Sequence, residues 1–228
     1  MTKTRGMVRY SIVTITKNNP QGFKKTQASV QAQTYSNYEW IVIDGDKEPD
    51  SGIYDAMNKG IERASGEYIV FMNAGDEFAD EDILDRLSHF DADFIYGDAI
   101  EGGRVKQSKH HAQMKGGMIT HHQSMVYRRS LLKTLRYNLD YKIAGDYDLT
   151  LRFLSLSNCF YFVNFPICIF ECGGVSQKNA GKARIEEVCA RQALGIKAPL
   201  TPYRQWAAQI IKRCCPWLYL KLRTVTNQ

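Results

Sequence analysis

The stretch Asn73-Ala-Gly-Asp76 closes an apolar run, Tyr68-Ile-Val-Phe-Met72. A hydrophobic strand that ends this way sets a carboxylate beside a glycine at the edge of a sheet. Such a carboxylate suits a hard divalent cation, and the cation can clamp a diphosphate. A solvated turn in which Asp76 caps the next helix would read the same, and the pattern alone leaves both open. Two more strand ends are polar. Thr16, Lys17 and Asn18 follow the run Arg9–Thr16, and Asp44, Gly45 and Asp46 follow Tyr38–Asp44. Ligands in open α/β sheets bind beyond the carboxyl ends of the strands, so these three ends define a candidate site. Other chemistries lack their motifs. No G-x-G-x-x-G follows the first strand, and neither a G-x-x-x-x-G-K-[ST] loop nor a G-x-S-x-G elbow occurs, which argues against dinucleotide oxidoreductases, P-loop enzymes and α/β hydrolases.

The elements that must position these residues alternate. Strand-like runs at 9–16, 38–44, 68–72 and 94–96 are separated by helical segments at 22–33, 53–64 and 80–90. In the middle helix Ile53, Met57, Ile61 and Ala64 recur at helical spacing, Asp50 or Ser51 can cap its start, and Ser65-Gly66 ends it. Residues 99–122 are polar, rich in Gly and His, and predict a loop or hairpin in which His110, His111 and His121 read as exposed. Ser124–Tyr127 predicts a strand, 146–156 a helix, and 161–170 a strand interrupted by Pro166. Such alternation predicts an α/β fold with a mainly parallel sheet flanked by crossover helices.

The chain has 228 residues and 44% hydrophobic content, enough for one large domain with a core. Its net charge of +6 matches the six basic residues from Lys197 onward, a stretch without acids. Residues 1–196 therefore form a charge-balanced domain, and 197–228 a basic tail. In the tail Tyr203, Trp206 and Ile210 make an apolar stripe beside Arg204, Lys212 and Arg213. A basic amphipathic helix with Trp and Tyr suits a membrane surface. Packing against the domain, or a homodimer contact, is the alternative. No recognition module points to nucleic acid. The six cysteines make no paired CxxC pattern, and the N-terminus has no apolar signal core. Both point to a cytoplasmic protein, peripheral on the inner face of the membrane.

Taken together, several stretches resemble one family. They are Ser11–Asn18, Trp40-Ile-Val-Ile-Asp-Gly45, Glu48-Pro-Asp-Ser-Gly-Ile-Tyr-Asp-Ala-Met-Asn-Lys-Gly-Ile61, Phe71-Met-Asn-Ala-Gly-Asp76, Tyr96-Gly-Asp98, His122–Ser130, Tyr141–Asp148 and Gly173-Gly-Val-Ser176. In this order they are similar to family-2 inverting glycosyltransferases of the GT-A fold, notably those of bacterial colanic-acid and exopolysaccharide assembly. The resemblance implies transfer of a sugar from a nucleotide diphosphate sugar to a saccharide, with a lipid-linked acceptor suggested by the tail. It places Thr16 beside the base, Asp44 on a base N–H and Asn73 on the ribose or the metal shell. Asp76 becomes the ligand of Mn2+ or Mg2+. Asp55 and Asn58, three apart on one helical face, would face the donor, and His122 and Gln123 the acceptor. Asp146 takes the place of the general base. Asp148, two residues on, must point elsewhere.

Two departures stand out. Lys17 occupies a position where relatives carry an aromatic residue that stacks on the base. Relatives also insert a helix and a strand between Asp-Gly and Glu-Pro-Asp, whereas Asp44-Gly-Asp46 here runs straight into Lys47-Glu48. Either the sheet has lost an element, or two segments are joined across a gap that would stretch the usual Cα spacing of about 3.8 Å.

Overall fold

A computed structural model describes residues 8–196 and residue 211. The expected tail, 197–228, lies outside the described residues apart from Ile211. The elements run β1 (Tyr10–Thr16), α1 (Pro20–Gln31), β2 (Tyr38–Asp44), α2 (Ile53–Arg63), β3 (Tyr68–Phe71), β4 (Glu77–Phe78), α3 (Ile83–Ser88), β5 (Phe94–Glu101), β6 (Arg104–Lys106), β7 (Met125–Arg128), α4 (Arg129–Leu132), α5 (Gly145–Leu156), β8 (Phe160–Phe170), α6 (Val175–Lys178) and α7 (Ala180–Ala193). Short 3-10 turns at His111–Gly116 and His122–Ser124 lie between β6 and β7.

The strands form one mixed sheet in the order β2-β1-β3-β7-β5-β8-β4, with β6 hairpinned onto β5. β1 pairs in parallel with β2 and β3, and β5 with β8, whereas β7 is antiparallel to both β3 and β5. Five strands, β1, β2, β3, β5 and β8, therefore share a direction. Their carboxyl ends lie along one edge, although the sheet is mixed rather than mainly parallel. Pro166, which cannot donate to a ladder, is taken up by a register shift opposite Asp98.

Strand side chains alternate between two cores. Val13, Ile69, Phe71, Met125 and Tyr127 face the side covered by α2 and α5. Tyr10, Ile12, Tyr68, Val70 and Val126 face the side of α1 and α3. Helix α2 sits directly on β1, because a Cβ on Gly60 would lie 2.3 Å from Val13 Cγ1. Met57, Ile61 and Ala64 are buried as their spacing predicts, but Ile53 is 43% exposed and borders a cavity instead. Neither Asp50 nor Ser51 caps α2. Its N-cap is Gly52, and the Asp55 carboxylate reaches back to accept the Ser51 N–H at 2.9 Å.

The short junction is a continuous tight turn. Lys47 and Glu48 both donate their N–H groups to the Asp44 carbonyl, at 3.0 and 2.8 Å. Glu48 then pairs with Arg63 on α2 at 2.7 Å. The chain passes from β2 to α2 with no element between them, and β2 is left at the sheet edge.

Candidate active site

Two hollows open where the co-directional strands end. One, of about 510 Å³, is walled by α2, the residues after β3, the segment before β7, the start of α5 and a face of α7. The other, of about 760 Å³, lies over the ends of β1 and β2 and is lined by Thr16, Asn18, Phe23, Asp44 and Lys47, among others.

Asp76 stands in the first cavity and is 5% exposed. Its Oδ1 accepts the Glu171 N–H at 2.9 Å, and its Oδ2 accepts the Gln123 side-chain amide at 2.6 Å. Burial pushes its pKa up to about 7, and the Glu171 carboxylate adds to the rise; the two hydrogen bonds and Lys25 oppose it. Glu171 comes this close because residue 75 is glycine. A Cβ there would lie 2.1 Å from Glu171 Oε2, and φ at Gly75 is 110°, a region that only glycine enters readily. Asn73 also lines the cavity, and its Oδ1 is buried with no hydrogen-bond partner among the described residues. A buried acceptor left unpaired is costly.

Asp146 occupies the first turn of α5 and lines the same cavity. Gly145 before it lets Tyr54 close in, since a Cβ would meet the Tyr54 ring at 2.6 Å. Asp146 Oδ1 accepts the Tyr147 N–H at 2.9 Å. Burial raises its pKa to about 6 and the Glu187 charge helps, while the Tyr147 N–H and the Tyr54 hydroxyl pull it down. A carboxyl poised near neutrality is suited to general-base work. Asp148 points away and binds Arg152 at 2.6 Å, as the two-residue offset requires.

The remaining residues singled out from sequence are dispersed. His122 lines the cavity but stacks on Phe71 and hydrogen-bonds the Tyr137 hydroxyl at 2.9 Å. Burial pushes its pKa down to about 3, so it is neutral. Gln123, expected on the acceptor side, lines the same cavity, where its side-chain amide holds Asp76. Asn58 uses both ends of its amide on the Tyr137 backbone, at 2.8 and 3.1 Å, and borders neither hollow. Asp55 borders neither hollow and braces the start of α2. Thr16 and Asp44 line the second hollow, away from the two raised carboxyls. Asp44 pairs with Lys47 at 2.9 Å and accepts the Asp46 N–H at 3.0 Å; these contacts hold its pKa below the usual range. Lys17 faces Asp50 at 3.8 Å. His121 is not a free loop residue, because it stacks on Phe170 with ring centroids 3.9 Å apart.

Sequence reading passed over Tyr54, Glu171 and Glu187, all of which line the first cavity. The strand-end rule, applied to β8, would have pointed to Glu171. Tyr54 lay inside the motif already singled out, one place from Asp55. Glu187 belongs to α7, which was not read as a helix.

This arrangement defines an α/β domain of the GT-A class, with acidic side chains gathered where the strands end. The family profile described as glycosyl transferase family 2 matches residues 46–146. An uncharacterized glycosyltransferase of Mycobacterium tuberculosis is 30% identical over 177 residues, covering 62% of this chain and 67% of that protein. A PGL/p-HBAD biosynthesis glycosyltransferase of the same species is 26% identical over 256 residues, covering 96% of each. That match is longer than this chain's 228 residues, so the relative carries extra residues within it. The chain belongs to glycosyl transferase family 2.

Solved structures agree on the fold. S. aureus TarS 1–349 in complex with UDP-GlcNAc superposes with a TM-score of 0.64 at 14% identity, over 90% of this chain and 81% of that one. Against a longer TarS chain the match covers 78% of this chain and 38% of that one. The mannosyltransferase PcManGT from Pyrobaculum calidifontis, in complex with GDP-Man and Mn2+, gives a TM-score of 0.59 at 14% identity, over 96% of this chain and 79% of that one. Among the described residues no helix is long and apolar enough to cross a membrane.

Proposed function

We propose that this glycosyltransferase moves a sugar from a nucleotide diphosphate sugar to a saccharide hydroxyl with inversion, using Asp146 as general base. The observation that carries the reading is that Asp146 and Asp76, both with raised pKa, line one cavity at the ends of the co-directional strands. Asp146, ionised above pH of about 6, takes the proton from the acceptor hydroxyl. The freed oxygen attacks the anomeric carbon from the side opposite the diphosphate, whose bond to the sugar breaks. The base stands ready because α5 and Tyr54 hold its carboxyl in place.

No group of three or more His, Cys, Asp or Glu among the described residues is arranged as a metal cage. The site fits a cation that arrives with its nucleotide, because such ions take one or two protein carboxylates and complete their shell with phosphate and water. Asp76 would supply the carboxylate, and the unpaired Asn73 Oδ1 would meet the ribose or the ion's hydration shell. Bound Mn2+ or Mg2+ would offset the charge of the leaving diphosphate. Thr16 and Asp44 would meet the base in the second hollow.

The basic stretch 197–228 would keep the GT-A domain of residues 1–196 at a membrane surface, close to a lipid-linked acceptor. Exopolysaccharide assembly is the setting the sequence resemblance suggests. The test is a thermal-shift screen of UDP-, GDP- and dTDP-sugars with Mn2+, followed by release of nucleoside diphosphate from whichever sugar binds. Asp146→Asn should keep the shift and lose turnover. Unchanged turnover would remove Asp146 as the base, and no shift with any sugar would favour a non-catalytic, membrane-associated subunit with a decayed donor site.

A further inference from the structure

Helix α7 presents two adjacent acids in different directions. Glu187 lines the cavity, whereas Glu186 reaches the loop that leads into α5. Glu186 Oε2 accepts the N–H groups of Ile143 and Ala144 at 2.8 Å each, and the Lys142 N–H lies 3.1 Å from both carboxylate oxygens. Three successive backbone donors thus converge on one carboxylate, directly before Gly145 and Asp146. Ala144 is the N-cap of α5, and no side chain caps that helix from within. A second tie lies just past the base. Arg191, 2% exposed, donates from Nη1 to the Tyr147 hydroxyl at 2.9 Å. Helix α7 therefore contacts the chain on both sides of Asp146, at the backbone before it and at the Tyr147 hydroxyl after it.

We infer that Glu186 is a positioning residue: by gathering the N–H groups of Lys142, Ile143 and Ala144 it fixes where α5 begins, and so where Asp146 meets the acceptor hydroxyl. The inference rests on the reading of Asp146 as base. Hydrogen bonds to an ionised acceptor are stronger than neutral ones. Glutamine keeps one acceptor oxygen and loses the charge; alanine leaves the loop's N–H groups without their partner. Misplacing a catalytic group by a small distance can cost about 100-fold in rate.

The test compares Glu186→Ala, Glu186→Gln and Glu186→Asp with Asp146→Asn and the Asp146→Asn/Glu186→Ala double variant. Two readouts are used. One is release of UDP from UDP-N-acetylglucosamine, or of GDP from GDP-mannose, with Mn2+. The other is the titration of the Asp146 carboxyl by 13C NMR, which needs no turnover. Glu186→Ala should lower kcat about 100-fold while the donor KM stays within about twofold. The Asp146 midpoint should fall from about 6 toward the usual carboxylate range, and Glu186→Asp should recover part of both. The double variant should be no slower than Asp146→Asn alone, because the two residues act as one unit.

An additive loss in the double variant would overturn the inference, as would an unmoved Asp146 midpoint. If Asp146→Asn turns over normally, the base reading fails. The titration then decides by itself whether Glu186 sets the carboxyl's surroundings, as it also does if neither sugar is cleaved. Should Glu186→Ala be insoluble, Glu186→Gln is held to the same criteria.

Discussion

The two hollows along the strand ends are built on opposite terms. In the first, Asp76 is buried and Asp146 half-buried, the pKa of each is raised, and Asn73 Oδ1 has no partner among the described residues. In the second, polar groups satisfy one another: Lys47 pairs with Asp44, and the Asn18 N–H binds Asp46 at 2.7 Å. On the proposed reading, a bound cation would offset the charge that the first hollow disfavours. The second is at rest, and a base entering it must displace contacts the turn already makes. The difference follows from the chain. Asp76 sits in a turn tied to Gln123 and the Glu171 N–H and Asp146 sits in α5, whereas the shortened junction folds Lys47 back onto Asp44.

The sharpest break of this contrast is Asp146→Asn. Loss of a general base should lower kcat by about 10³-fold with little change in donor KM, measured as nucleoside diphosphate release. Next is Asp76. While this carboxyl holds its proton it cannot ligate a cation, so Mn2+ affinity should fall as pH drops below about 7, by about tenfold per pH unit. Calorimetric titration from pH 5.5 to 8 checks this, and Asp76→Asn should abolish both the affinity and its pH dependence. The same raised pKa has a stability consequence. The ionised form is disfavoured in the folded state, so stability attached to the protonated form is lost as pH rises through about 7. Without metal, Asp76→Asn should therefore melt higher than the parent at pH 8 and match it at pH 3.

Substitutions in the second hollow should act more mildly. Asp44→Asn should raise donor KM about tenfold and leave kcat alone, and Lys47→Ala should lower KM about two- to threefold by freeing Asp44. A kcat effect from either would mean that the two hollows are not separable. The smallest change expected is from Glu187→Gln. The Glu187 charge raises the Asp146 pKa, so removing it should shift the acid limb of the kcat/KM profile to lower pH by a fraction of a unit.

What the sequence disclosed tracks how local each determinant is. β2 falls on Tyr38–Asp44 as read, and α2 differs by one residue, because apolar period and turn residues are local properties. The strand-end rule found Asp76, and the offset between Asp146 and Asp148 separated the inward acid from the outward one. Contacts that link distant segments were not legible. Gln123 binds Asp76 across 47 residues, and Asn58 braces Tyr137 across 79. Neither amide announces its protein partner: Asn58 is taken up by the Tyr137 backbone away from both hollows, whereas Gln123 lines the first cavity and also holds Asp76. β7 broke the parallel pattern for a similar reason, since a short apolar run carries no sign of its direction. Helix α7 escaped because its apolar residues form no strong stripe: Ile185 is 66% exposed, and Ala190 is buried.

The contact of Gly60 with Val13 bears on how this site can evolve. With no side chain at 60, α2 rests on β1 with no clearance, and Tyr54, at the other end of the same helix, takes its height above the sheet from that seat. The height of this wall is thus set by an absence. Mutation can only raise it, and even a methyl group would lift the wall that closes on Asp146. Drift toward new sugars is thereby confined to the rim, to residues such as Ile53, Lys106 and Lys142, where side chains can change size without moving the helix that calibrates the chemistry.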